Sequence, residues 1–129
     1  MNRVLMVLGV LLALSGLSCE SGPVAGELTF NLTTPNADDG AVQLAVAAVA
    51  PNTLTSIAAS CSGCKVFATK VGENQYRAVV TGTIGAGALV RVGVSDVNNS
   101  ANYSAQVSAV ASRTFVLRAT GGYTLAVAP

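Results

Sequence analysis

The residues best suited to do chemistry in this chain are two cysteines, Cys61 and Cys64, separated by Ser62 and Gly63. Thiols at this spacing form a disulfide, exchange disulfides with other proteins, or bind a metal. Exchange of the thioredoxin type needs the first cysteine at a helix N-terminus within a βαβ unit. A zinc site needs about four ligands, and this pair supplies only two of them. The sequence around the pair predicts neither setting, so the cellular compartment must decide between these chemistries.

A second group is the pair of adjacent carboxylates, Asp38 and Asp39, in the segment 35–40. Carboxylate oxygens suit Ca²⁺, so the two are candidate metal ligands. A glycosidase needs two carboxylates that face each other across ~5 to 9.5 Å, whereas neighbours in a turn point apart. The segment 96–102 begins like an EF-hand loop but lacks its later Gly and Glu. Because Asp and Asn also favour turns through local hydrogen bonds, we interpret both segments as turns and expect no metal or other cofactor.

The composition excludes several catalytic classes. The chain contains no His, so it cannot build a Ser-His-Asp triad, a His-ligated zinc site or an imidazole acid-base step. We therefore expect no enzymatic activity and no catalytic residues. Tyr76, Tyr103 and Tyr123 would stack on sugars if exposed, but each lies at the start of a predicted strand, where such a ring closes the edge of a core. We favour core positions for them, and the ligand-binding residues stay unassigned.

The N-terminus has the pattern of an export signal. Arg3 precedes an apolar run over 4–14, and small residues lead from there to Cys19. A run of about eleven apolar residues is too short for a bilayer core that needs ~20, so it predicts the apolar region of a signal peptide. We assign 1–18 as signal peptide, formed by a helix, and 19–26 as a tether rich in small residues.

The residues Gly16-Leu17-Ser18-Cys19 resemble the lipobox of bacterial lipoproteins, in which Leu and small residues precede an acylated Cys. Gly16 and Leu17 stand in exchanged order relative to that pattern. The resemblance implies cleavage before Cys19, lipidation of that residue with chains such as palmitate, and membrane attachment through the lipid. It also implies the outer membrane, because Glu20 stands where Asp would retain the protein in the inner membrane. Ordinary signal peptidase accepts the same small-x-small pattern, so secretion without lipid is the alternative.

Export and lipidation would account for all three cysteines of the chain. The chain has three cysteines, and acylation of Cys19 would leave Cys61 and Cys64 as a pair in an oxidising compartment. We then expect a disulfide between them, with a thiol redox pair as the alternative.

The charges of the mature chain balance. Arg3 leaves with the signal peptide, so six of the seven basic residues remain against six acidic ones. The cations are scattered singly along the sequence, without the basic stripe that nucleic acid or anionic lipid requires. We expect no nucleic-acid partner and no electrostatic binding to anionic lipid.

Short alternating segments separated by turn residues run through the chain from Glu27 to its end. They predict strands, with 54–59 as a weaker strand or edge segment, 88–94 as a candidate central strand and a hairpin around 72–74. The other predicted strands cover 27–33, 41–46, 65–71, 75–81, 103–110, 114–118 and 123–127. Eight or nine short strands without a capped helix predict an all-β fold, an antiparallel β-sandwich.

The region 27–129 also resembles the cohesin-like and carbohydrate-binding β-sandwiches of bacteria. The similarity lies in the opening strand 27–32, the acidic turn after it, the Pro51-Asn52 break before 54–57, and the Gly-rich approach to a Val-rich strand. It implies a cohesin-like or Ig-like domain that docks an unknown protein or glycan. Together these observations predict an envelope-anchored, non-enzymatic lipoprotein that acts as a binding or structural module.

Overall fold

The computed structural model describes residues 22–129, which form two antiparallel β-sheets. Nine strands occur in this range, so the predicted antiparallel β-sandwich is confirmed. Their bounds are β1 (Gly26–Thr33), β2 (Asp39–Ala48), β3 (Leu54–Ala59), β4 (Lys65–Lys70), β5 (Gln75–Ile84), β6 (Gly87–Val94), β7 (Tyr103–Ser112), β8 (Leu117–Arg118) and β9 (Thr124–Val127). A 3₁₀ helix, Val97–Asn102, lies between β6 and β7. The predicted signal peptide and Cys19 lie outside the described residues.

The strand order is β3-β6-β1-β9 in the first sheet and β4-β5-β2-β7-β8 in the second. β6 lies inside its sheet and β3 lies at an edge, as the sequence predicts. β4 and β5 form the predicted hairpin, in which Lys70 pairs with Tyr76.

Alternating apolar residues on the two inner faces build one core. The first sheet contributes Phe30, Leu32, Leu54, Leu89, Val90, Val92 and Val94, and the second contributes Val42, Leu44, Val46, Ala78, Val80, Ile84, Tyr103, Val107 and Val110. Val is the most frequent residue at the fully buried positions of the strands, so the core is built mainly from short, branched side chains.

The strict alternation that the sequence predicts for β6 is wrong at Leu89. That residue was expected on the face opposite Val90, yet both side chains are buried. The register explains the difference, because Phe30 pairs with Val90 and Asn31 with Ala88, which leaves Leu89 as an extra residue. Such a bulge turns consecutive side chains toward one side.

The sandwich has two ends that matter for function. We call the end that contains Gly22–Ala25 and the loops 49–53, 71–74 and 95–102 the tether pole. The opposite end, with the turns 34–38, 60–64, 113–116 and 119–123, is the turn pole. The register of the strands separates the two ends by up to ten residues, a distance of ~33 Å.

Candidate functional site

Cys61 and Cys64 are joined by a disulfide at the turn pole. Their Cα atoms lie 5.4 Å apart, and the bridge closes the turn between β3 and β4. The turn depends on close packing against β5, because a Cβ at Gly82 would lie 3.1 Å from both the Cα and the Sγ of Cys64. Gly82 also has a φ of +144°, which L side chains rarely adopt. The pair therefore constrains a turn between two strands rather than the N-terminus of a helix.

Asp38 and Asp39 lie side by side at the turn pole but face different surroundings. Asp39 is fully buried, whereas the side chain of Asp38 is about half exposed. Arg118 joins them: Nη2 donates to Asp38 Oδ2 over 2.8 Å, and Nη1 donates to Asp39 Oδ1 over 3.0 Å. Nη1 also forms an ion pair with Asp38 Oδ1 at 2.7 Å. The two carboxylates are thus bound to a guanidinium, which is the partner their charge requires inside a protein.

Three further groups complete the cluster around Asp39. Tyr123 donates its hydroxyl to Asp39 Oδ1 over 2.9 Å, and Thr34 donates to Oδ2 over 2.7 Å. The amide of Asn36 donates to the Tyr123 hydroxyl over 2.7 Å. Every buried oxygen of this carboxylate has a donor, so the network ties the start of β2 to the C-terminal part of the chain.

The ion pair with Arg118 also changes how Asp38 titrates. Hydrogen bonding from the guanidinium, helped by its positive charge, lowers the pKa of the Asp38 carboxyl below its usual value of 3.8. The same contacts raise the pKa of Arg118 above its ordinary value. Both groups are therefore charged throughout the neutral range.

Asp96 organises the tether pole. Its carboxylate accepts from the backbone amide of Asn98 over 3.0 Å, from the side-chain amide of Asn99, and from the backbone amide of Val24 over 3.2 Å. The first two contacts cap the 3₁₀ helix. The contact with Val24, together with the Val97 amide that donates to the Val24 carbonyl over 2.8 Å, fastens the incoming chain to the domain. A cleft of about 560 Å³, lined by Asp96 and several Asn side chains, lies next to this contact.

The three tyrosines belong to the core rather than to an exposed platform. Tyr103 and Tyr123 are buried, and Tyr76 is partly buried against the core. The hydroxyl of Tyr103 accepts from the backbone amide of Asp96 over 3.1 Å, and the hydroxyl of Tyr123 donates to the carboxylate of Asp39. Each buried ring therefore places its polar end on one of the two buried aspartates.

The exposed aromatic side chains are phenylalanines, which the sequence reading did not single out. Phe67 in β4 is 62% exposed, and Phe115 in the turn before β8 is 91% exposed. Val116 and Leu117, which follow Phe115, are also exposed. The sequence did contain a sign that 115–117 is not an ordinary half-buried strand, because its three consecutive apolar residues lack the alternation of such a strand. Only β8 forms there, over two residues, in place of the predicted strand 114–118.

These apolar residues border the outward face of the five-stranded sheet. Partners directly opposite each other in antiparallel strands share a face, so the register places Phe67 beside Val79 and Leu117 beside Ala111. The centre of the face carries half-buried, mostly short side chains and one exposed glutamine, Gln43, which pairs with both Val79 and Ala109. The half-buried residues are Ala41, Ala45, Val79, Thr81, Ala109 and Ala111. Shallow depressions of about 250 and 170 Å³ lie on it beside Phe115 and Leu117.

Two further observations concern the residues that the structure describes. Within 22–129, no cluster of three or more His, Cys, Asp or Glu side chains is arranged to hold a metal ion. No helix in that range is long and apolar enough to span a bilayer.

The fold and its polar clusters define a class, a disulfide-bearing antiparallel β-sandwich with a fastened N-terminal segment. No protein-family model, curated protein or solved structure matches the chain.

Proposed function

We propose that this chain is an exported, lipid-anchored, non-enzymatic binding module of the cell envelope. The observation that carries the proposal is the position of its exposed apolar residues relative to its tether. Val24 is fastened at the tether pole, while Phe115, Val116 and Leu117 project at the turn pole. A domain held by a lipid at Cys19 would direct that apolar tip away from the membrane that holds it.

The disulfide supports the export step. A bridge between Cys61 and Cys64 persists in an oxidising compartment and is rare in the cytosol. The short tether before β1 supports anchoring, because only residues 20–23 separate Cys19 from Val24, which is hydrogen-bonded to the domain. The outer membrane remains our proposed location, on the basis of Glu20.

Lipidation is tested by expressing the full chain in a double-membrane bacterium and measuring its intact mass from isolated membranes. We expect the mass of residues 19–129 plus a diacylglyceryl group and one acyl chain. Cys19→Ala should abolish that addition and release the protein from the membrane. The matched control, Cys61→Ala with Cys64→Ala, removes two cysteines but should keep the lipid. An unmodified chain from 19 to 129 in the soluble fraction would instead identify a secreted protein.

A cohesin-like docking domain is the second candidate, and one observation favours docking of a protein over docking of a glycan. The buried rings of Tyr103 and Tyr123 are not available for stacking on sugars, whereas Phe67 and Leu117 border a face of small side chains. A pull-down with insoluble glycans of the envelope tests the alternative. Retention that requires Phe67 would favour a carbohydrate-binding domain.

The third candidate is a thiol redox protein that uses Cys61 and Cys64. It requires that mild reductant opens the bridge and that one thiol then reacts rapidly with a disulfide substrate. We expect instead that the bridge resists mild reductant in the folded protein, as measured by alkylation and intact mass.

A further inference from the structure

We propose that the outward face of the five-stranded sheet docks an acidic amphipathic helix of another polypeptide. The helix would lie between Phe67 on β4 and the pair Phe115 and Leu117 beside β8. This inference rests on the proposed binding role but not on lipidation. It names both the surface that binds and the chemistry of its partner.

The shape of the face fits a helix. Five strands at ~4.8 Å spacing place β4 and β8 about 19 Å apart, and a helix with its side chains is about 10–12 Å wide. The floor between the two borders carries Ala and other short side chains around the exposed Gln43, so a helix can approach the sheet closely over the Ala positions and meets one polar side chain at the centre. The large exposed side chains of Phe67 and Leu117 would then cover its flanks.

The charge of the face selects an acidic partner. Lys65 and Arg77 lie on outward positions, opposite Thr81 and Ala45 respectively, and both are exposed. Arg113 is exposed next to the Phe115 turn, where its guanidinium donates to the Ala37 carbonyl over 3.0 Å, so Lys65 and Arg77 are the main cations of the face. Within 22–129 none of these three cations forms a salt bridge, whereas Lys70 and Arg118 do. The only carboxylate on the strands of this sheet belongs to Asp39, which is buried on the inner side.

Charge argues against a second copy as the occupant, and the position of the face argues against the anchoring bilayer. A second copy of the chain would bring these cations against each other, which like-charge repulsion disfavours. The anchoring bilayer would meet the tether pole first, roughly 33 Å from the apolar tip along the strands. A helix with a Leu-rich face and acidic flanks satisfies both the apolar borders and the cations.

The backbone at Phe115 adds an independent observation. Its φ is 64°, in the left-handed region that favours glycine, while its ring is almost fully exposed. A bulky residue rarely adopts this conformation, and strained residues concentrate at functional surfaces. The turn thus holds an aromatic ring outward at a border of the proposed groove.

The test uses the full chain as isolated, in phosphatidylcholine nanodiscs when it carries the lipid and in free solution when it does not, and a labelled synthetic peptide of about eighteen residues. The peptide has Leu at i, i+3, i+4 and i+7 spacing and Glu on both flanks. We expect saturable binding in the micromolar range and an increase in peptide helicity on binding. The control peptide, with Lys in place of every Glu, should not bind, and empty nanodiscs should bind neither peptide.

Variants of the chain locate the binding surface. Phe67→Ser with Leu117→Ser should weaken binding by roughly tenfold, because two exposed apolar contacts are lost. Val49→Ser is the matched control, because Val49 is equally exposed but lies at the tether pole. Arg77→Glu should weaken binding and reduce its dependence on salt, whereas Arg91→Glu on the other sheet should not.

Several results would overturn the inference. Equal binding of the acidic and basic peptides, or no binding of either, would remove the proposed partner chemistry. Binding to phosphatidylglycerol vesicles through Phe115 and Leu117, without peptide binding, would assign the surface to a membrane. Cross-linking between chains that depends on Phe67 and Leu117 would assign it to a second copy. Because none of these readouts depends on the lipid at Cys19, they are distinguishable from a failure of the anchoring proposal.

Discussion

Each pole of the sandwich contains one buried aspartate, and the two are held in different ways. Asp96 at the tether pole accepts from Asn98 and Asn99, two and three residues away, and from Val24. Asp39 at the turn pole accepts from Arg118 and Tyr123, which lie 79 and 84 residues away. The first cluster is mainly a local turn with one distant attachment, whereas the second connects segments that are remote in the sequence.

This difference shows which residue holds the fold together and which holds a loop. Loss of the Asp96 contacts releases the 3₁₀ helix and the tether but leaves the strands paired. Loss of the Asp39 carboxylate leaves the buried Tyr123 hydroxyl without its acceptor, beside a guanidinium that has lost one partner, while Thr34 can still donate to the Asn36 carbonyl. Because groups left unpaired in a low-dielectric interior are costly, the turn pole should be the more sensitive of the two.

The largest effect is expected for Asp39→Ala. Removing one partner of a buried charged pair costs about 3–5 kcal/mol, so this variant should lose that much unfolding free energy. Urea denaturation monitored by circular dichroism measures it. The matched control is Asp38→Ala, which removes the adjacent carboxylate at an exposed position. Similar losses for the two variants would contradict the central role of Asp39.

The stability of the two poles can be compared by removing one tyrosine hydroxyl from each. Tyr123→Phe takes a donor from the buried Asp39 and should cost about 2 kcal/mol, whereas Tyr103→Phe should cost about 1 kcal/mol. The same urea titration provides both values. A larger loss for Tyr103→Phe would reverse the ranking of the poles.

Asp96→Ala should produce a smaller and local effect. Losing the cap and the contact with Val24 should cost about 1 kcal/mol. Hydrogen exchange should show faster exchange at the Val24, Val97 and Asn98 amides and unchanged exchange in β2 and β5. Asp96→Asn keeps an acceptor oxygen, so its stability and amide exchange should lie between those of Asp96→Ala and those of the natural chain. Faster exchange throughout the strands would mean that Asp96 also stabilises the sandwich.

The smallest expected effect is a pH dependence from Asp38. Its pKa is lowered in the folded state, so its contribution to stability is complete above the ordinary value of 3.8 and declines as the pH falls through the folded pKa. Urea midpoints from about pH 6 to about pH 3 measure this. The stability difference between the natural chain and Asp38→Asn should shrink toward the acidic end. If this difference stayed constant, protonation of Asp38 would not contribute to the loss of stability in acid.

Much of the fold could be predicted because strand signals are local. Alternation and turn residues placed the edge strand 54–59, the central strand 88–94 and the hairpin around 72–74 close to their observed positions. The bulge at Leu89 was not predictable, because it depends on how β6 registers with β1. The exposed run at 115–117 was predicted as strand, since apolar character alone does not show which side of a sheet remains uncovered.

The candidate sites divide in the same way. A bridge between Cys61 and Cys64 could be expected from the sequence, because acylation of Cys19 in an exported chain would leave these two cysteines as a pair in an oxidising compartment. The role of Asp39 could not be inferred, since its main partners are nearly eighty residues distant. The cations were scattered along the sequence, and the placement of Lys65 and Arg77 on one outward face depends on the pairing of β4 with β5.

By itself, the sequence determined the period-two strands, the turns between them, the shortage of bulky core residues and the absence of histidine chemistry. These properties depend on residue type and on neighbours a few positions away. Only the tertiary structure decided that Arg118 neutralises Asp38 and Asp39, that Tyr103 and Tyr123 bond to separate aspartates, and that Phe67 and Leu117 border the same sheet face. Those relations require strand order and register, which arise from packing between segments that are remote in the chain.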